Sequence, residues 1–189
     1  MIQKFKTRIE MIASLPKGSS IAEVGVWRGY FSNEILSLPN LNHVWLVDSW
    51  RKRDDYNDPL ADPSVDHEAN YLETLENIQG HRHGGRYAIM RMDSLGAAEM
   101  AFENRVTFDG VFLDAAHDYD SVLADLRAWS RVMSPSASIM GHDFCDDHPT
   151  AVKYGWGVQK AVAQFCKETD WKLVAVSEEE FPSFCLRKI

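Results

Sequence analysis

Short runs rich in Val, Ile and Leu alternate along this chain with longer segments whose apolar positions recur at helical spacing. That alternation predicts βαβ units around a parallel sheet. The apolar runs place strands at 20–24, 43–47, 87–92, 110–113, 138–140, 172–176 and 184–187. Most lack strict polar alternation, as strands covered on both faces do. Helices are predicted over 2–14, 29–38, 66–78, 95–103, 119–132 and 158–167. Val122, Leu126 and Trp129 share one face of the fifth, and Val158, Val162 and Phe165 one face of the sixth.

The last two strands are separated only by 177–183, too short for a crossover helix, so they should form an antiparallel hairpin. Two segments follow strand ends without usable periodicity: 51–64, which is charged and contains proline, and 144–156. Loops of this length in a compact domain commonly act as lids or binding loops. The expectation is one domain spanning 1–189, of α/β class, with a Rossmann-like doubly wound sheet of seven strands that is mostly parallel.

Composition narrows the partners. The 189 residues, 45% of them hydrophobic and 25% charged, suit one globular core. A formal charge of −8 disfavours nucleic acid, whose phosphates are bound through clustered Lys and Arg. No apolar run approaches the roughly 20 residues of a membrane-spanning helix, and charges interrupt the N-terminal segment where a signal peptide would carry its apolar core. A cytoplasmic protein is expected, with a small-molecule substrate, no membrane partner, and a homodimer as the default assembly. Cys145, Cys166 and Cys185 are few, odd in number and far apart, as reduced thiols are, and at least two should be buried.

In open parallel sheets ligands bind beyond the carboxyl ends of the strands. The first strand ends in Glu23-Val24-Gly25-Val26-Trp27-Arg28-Gly29-Tyr30-Phe31-Ser32. Its glycines allow a tight turn and close backbone approach to a ligand, with free N–H groups on the following helix, or serve the turn alone. The second strand ends in Asp48-Ser49, about 20 residues beyond the glycines, where a carboxylate can hold a ribose diol or cap a loop. The third ends in Asp93-Ser94, which can accept from an adenine amine or cap the next helix. The spacing is GxxxG with an acid two residues ahead, unlike the GxGxxG of pyrophosphate-binding sites.

Taken with the terminal hairpin, these residues resemble the class I S-adenosylmethionine-dependent methyltransferases, whose sheet carries a reversed seventh strand. The resemblance covers nearly the whole chain. It implies that Glu23 and Gly25 lie near the methionine and ribose of the cofactor and that Gly29 belongs to the same loop. It further implies that Asp48, with Ser49 beside it, binds the ribose hydroxyls, that Asp93 and Ser94 flank adenine, and that Asp114 borders the cofactor.

The fourth and fifth strands end in Asp114-Ala115-Ala116-His117-Asp118-Tyr119 and Gly141-His142-Asp143-Phe144. This order is similar to a subgroup that includes macrolide sugar O-methyltransferases and cephalosporin hydroxylase-like proteins. That resemblance implies a divalent metal, Mg or Mn, at Asp114 and Asp143, and His117 as the base that deprotonates an acceptor hydroxyl. His142 stands where the subgroup often has an acid. As a third ligand it favours Mn over Mg, since imidazole suits softer cations than Mg, and it could otherwise orient Asp143 or touch substrate. The alternative for the cluster is two capping aspartates with histidines at the rim.

His81 and His83 lie in a Gly-rich turn without partnering ligands, which reads as a solvated turn. Trp50, Tyr56, Tyr154 and Trp156 lie in or beside the two lids, where they can stack on a substrate or anchor the loops. Three other function classes share parts of this pattern: an NAD-dependent oxidoreductase through Asp48, a metal-dependent hydrolase through Asp114, His142 and Asp143, and a non-catalytic binding module on the same fold.

Overall fold

A computed structural model describes residues 2–53 and 64–189. Eight strands form one sheet in the order β1-β7-β8-β6-β5-β2-β3-β4. They are β1 (Gln3–Phe5), β2 (Ser19–Val24), β3 (Leu41–Asp48), β4 (Tyr87–Arg91), β5 (Phe108–Leu113), β6 (Met133–Gly141), β7 (Trp171–Ser177) and β8 (Phe184–Lys188). All seven expected strands are present. β8 runs antiparallel to both β6 and β7, while the remaining pairings are parallel. The sheet is therefore Rossmann-like, with the reversed strand paired to β7 as the short 177–183 connection requires and inserted between β7 and β6.

Successive side chains of a strand point to opposite faces, so the two cores follow from alternate residues. Ala22, Val24, Val111, Leu113 and Ile139 enter one apolar cluster, and Ile21, Phe112 and Met140 enter the other. The first is covered by α4 (Ser94–Glu103), α5 (Tyr119–Ser130) and α7 (Val158–Glu168). The second is covered by α1 (Arg8–Ala13), α2 (Tyr30–Ser37) and α3 (His67–Asn77). Helix α5 buries Val122, Leu126 and Trp129 as its spacing predicts, and adds Asp125 to the same face.

Two expectations are corrected. The helix predicted over 2–14 is divided: residues 3–5 pair in parallel with β7, and only Arg8–Ala13 is helical. Thr7 accepts from the Glu10 N–H, and this Thr-x-x-Glu signature starts the helix later than apolar spacing alone suggests. The aperiodic segment 144–156 contains a short helix, α6 (Pro149–Tyr154). Proline stands in its first turn, where a missing N–H costs nothing, and Gly155 ends it in a left-handed conformation. Of the other proposed lid, 54–63, with Tyr56, lies outside the described residues.

Cys145 and Cys185 are buried and all three thiols are free, as expected. Among the described residues no helix is long and apolar enough to cross a membrane.

Candidate active site

The carboxyl ends of β2, β3, β4 and β5 open onto a cleft of about 530 Å³. Gly25, Asp48, Ser49, Asp93, Ser94 and Asp114 line it, so six of the eight residues expected at a cofactor converge there. Glu23 and Gly29 stand behind the lining and shape the loop.

Gly25 sits at the tightest point. Its φ is +91°, and a Cβ there would fall 2.0 Å from the Asp114 carbonyl oxygen. No side chain fits. Gly29, with φ +76°, opens α2, and its Cβ would lie 2.9 Å from the Thr74 methyl. The loop between them is held by Asp48: Oδ2 accepts from the N–H groups of Val26 at 3.0 Å and Trp27 at 2.9 Å, and Oδ1 accepts from Trp50 N–H at 2.7 Å. Asp48 thus fixes the glycine loop while facing the cleft. Trp27 and Trp50 both have positive φ, as does Asp143, and non-glycine residues held there commonly mark functional loops.

Beneath the loop, Glu23 is 1% exposed and accepts from Ser32 Oγ at 2.6 Å, tying β2 to α2. Burial pushes its carboxyl up to about 8, against the lowering effect of the Ser32 hydrogen bond, so it carries a proton at neutral pH. An uncharged acid is the form this dry position favours.

At the far side, Asp93 caps α4 through Gly96 N–H at 2.8 Å, which is the capping role anticipated for it. Ser94 Oγ donates to Asp125 Oδ1 at 2.6 Å and accepts from the Trp129 indole at 2.9 Å. Asp125, which also lines the cleft, escaped the sequence reading. Its signal is an acid on the apolar stripe of α5, between Val122 and Trp129.

The α3 wall offers two donors or acceptors. Asn70 is 3% exposed and receives Arg28 Nε on Oδ1 at 3.0 Å, while Asn70 Nδ2 and His67 Nε2 are buried without a partner among the described residues. Both residues line the cleft. Buried polar atoms rarely stay unpaired, so this wall fits a polar ligand.

The histidine cluster adjoins the cleft through Asp114. His117 Nε2 lies 3.0 Å from Asp143 Oδ2 and 3.5 Å from Asp114 Oδ1, and His142 Nδ1 lies 3.3 Å and 3.7 Å from the same two oxygens. One donor atom each from Asp114, His117 and Asp143 fall within 4.8 Å of one another. Two carboxylates and an imidazole at that spacing match the donor types that hold Mn or a related cation. Burial works to raise the Asp143 carboxyl, but hydrogen bonds from His117 and His142 outweigh it and hold the group well below the usual carboxylate range. Burial also opposes charge on His142, yet Asp143 and Asp114 raise its pKa on balance.

Arg8 is a second residue the sequence reading missed. It reaches from α1 to within 3.5 Å of Asp114 Oδ2 and lies over the Phe31 ring at 4.2 Å. Its position becomes visible only when α1 folds across the sheet end. Of the candidate aromatics, Trp50 is an anchor: it is 3% exposed and donates to the Trp27 carbonyl at 2.7 Å. Trp156 packs on His117 with ring centres 4.6 Å apart. Tyr154 stands beside Lys153. His81 contacts Asn33 in a 3-10 turn away from the cluster.

Residues 22–144 match the family model described as a methyltransferase domain. No curated protein matches the chain in sequence. Among solved structures, the chain is similar to a Clostridium thermocellum protein described as an rRNA-methylase, at 11% identity and a TM-score of 0.66, covering 96% of this chain and 95% of that one. It is similar to a Klebsiella pneumoniae protein described as an O-methyltransferase, at 19% identity and a TM-score of 0.63, covering 96% and 76%. SMU.776, a methyltransferase complexed with SAH, matches at 11% identity and a TM-score of 0.65 over 95% of this chain and 47% of its own. At such identities the likeness is one of fold.

Proposed function

The chain belongs to the methyltransferase-domain family, and from that premise we propose that it methylates a hydroxyl of a small molecule or sugar, using S-adenosylmethionine held in the cleft. In this reading Gly25, Asp48, Ser49, Asp93, Ser94 and Asp114 face the cofactor, with Glu23 and Gly29 shaping the loop. A divalent cation, Mn or Mg, would be held by Asp114, His142 and Asp143, and His117 is the base. The observation that carries the proposal is the double position of Asp114, which lines the cleft and stands 3.5 Å from His117. Cofactor pocket and proton acceptor meet at one carboxylate.

When bound, the cofactor supplies an electrophilic methyl group and the cation lowers the pKa of a coordinated hydroxyl. The chain's own residues position and deprotonate. His117 takes the hydroxyl proton on Nδ1 while its Nε2–H donates to Asp143, which at 3.0 Å stabilises the resulting imidazolium. Trp156, packed at a tilt against the His117 ring, limits the access of water to it.

A second reading is favoured by the spacing of donor atoms: His117 stands nearer than His142 to the same two carboxylate oxygens and falls with Asp114 and Asp143 within 4.8 Å. A histidine bound to metal cannot at the same time take the substrate proton. Manganese titration of variants separates the two. With His117 as base, His142→Ala should weaken Mn binding by more than the roughly 10- to 100-fold that loss of an outer partner costs, and His117→Ala, which removes an outer partner of Asp143, should lose no more than that. The reverse pattern assigns His117 to the metal.

A further inference from the structure

The proton chain at the far end of the cleft has a fixed direction. An indole N–H can only donate, so Ser94 Oγ accepts from Trp129 at 2.9 Å and turns its own hydrogen to Asp125 Oδ1 at 2.6 Å. Ser94 has therefore spent its donor on Asp125. Asp93 Oδ1 is likewise committed to Gly96 N–H. Asp125 Oδ2 receives no hydrogen bond from a described residue, and Asp125, 7% exposed, lines the cleft. Oδ2 opens onto the cleft, whose lining here also includes Arg53, and a carboxylate oxygen so placed is an acceptor offered to a ligand.

Its place in the cleft defines the ligand group. β4 lies two strands from β2, so Ser94 and Asp125 stand roughly 10 Å across the sheet from Gly25. The space between is walled by Val47, Met92, Leu95, Ala115 and Ala124, which offer apolar surface to a planar ring. A ring slotted there presents its edge to Asp125.

We propose that Asp125 reads the nucleobase, accepting a hydrogen bond on Oδ2 from the exocyclic amine of adenine while Trp129 and Ser94 hold Oδ1. The inference rests on the cofactor reading given above and moves base recognition from Asp93 and Ser94 to a residue on α5. Burial raises the Asp125 carboxyl to about 6, against the lowering effect of Ser94, so it is ionised and accepting at neutral pH. A 6-oxo base would set its oxygen against the carboxylate. Sites built to bond a polar group reject analogues that cannot supply it.

Calorimetry with S-adenosylhomocysteine and S-inosylhomocysteine, in which the 6-amine is replaced by oxygen, tests this. Wild type should favour the adenine ligand by roughly 10- to 100-fold, the worth of one hydrogen bond to a charged group. Asp125→Asn should reverse the preference, because Ser94 still donates to Oδ1 and so turns the new amide N–H toward the base. Unchanged preference in that variant overturns the proposal, as does loss of both ligands with an unaltered melting curve, which would make Asp125 structural. If the variant does not fold, the wild type decides, since equal affinity for the two ligands overturns the assignment. Failure of the wild type to bind either ligand would instead remove the cofactor reading itself.

Discussion

Replacing His117 with alanine is expected to abolish turnover, a loss of roughly 10²- to 10⁴-fold, while affinity for S-adenosylhomocysteine stays within about twofold. His117 is placed by the loop after β5 and touches Asp114 and Asp143, yet it does not line the 530 Å³ cleft. Its removal leaves the glycine loop, the Asp48 hydrogen bonds and the α3 wall in place. An acceptor hydroxyl, however, is too weakly acidic to ionise without a neighbouring base. Rates measured at saturating cofactor, beside calorimetric affinities, check both halves of the expectation. Turnover equal to wild type would remove His117 from the chemistry, and a large fall in cofactor affinity would place it in the binding site.

Gly25→Ala should cost more stability than any other single methyl added to the loop, about 4 kcal/mol or more, and should eliminate cofactor binding. Two effects combine. The backbone there is left-handed at φ +91°, and the new Cβ would lie 2.0 Å from the Asp114 carbonyl oxygen, where two adjacent strand ends meet. Relief requires β2 and β5 to part at their carboxyl ends, which opens the floor of the cleft. Gly155→Ala is the control. It has a similar φ of +74° with no atom within 4 Å, so it should cost only about 1 kcal/mol. Denaturant unfolding of both variants measures the difference, and equal losses would show that close approach at Gly25 is not what the position requires.

The sequence is most legible where a local pattern and the tertiary fold agree. β5 and β6 read as buried strands because their residues are apolar on both faces, and helices cover both faces. The reversed strand followed from a connection too short to cross over. The glycine loop was legible as a turn, but its necessity at Gly25 comes from Asp114, 89 residues away, and no local signal reports that approach. β1 was hidden because three residues carry too little periodicity, and its partner β7 lies at the other end of the chain. Aperiodicity at 144–156 concealed α6, although Pro149 and Gly155 mark its ends.

The candidate site was legible to the same degree. Asp48, Asp93, Asp114, His117, His142 and Asp143 stand out because strand ends expose them, and the structure brings the last four together. Asp125 and Asn70 did not stand out, since helices α5 and α3 carry them and their meaning depends on which wall those helices form. Arg8 depends on α1 folding over Phe31. Asp93 illustrates the limit of motif reading: both of its anticipated roles need an acceptor oxygen, and the structure commits one to the cap of α4.

The most direct test is calorimetric titration of the purified protein with S-adenosylmethionine and S-adenosylhomocysteine, with and without Mn, and with NAD as a control. The account predicts one cofactor bound per chain, retained without metal because the cleft residues are protein donors and acceptors, and no binding of NAD. Binding of neither sulfur cofactor under either condition would contradict it.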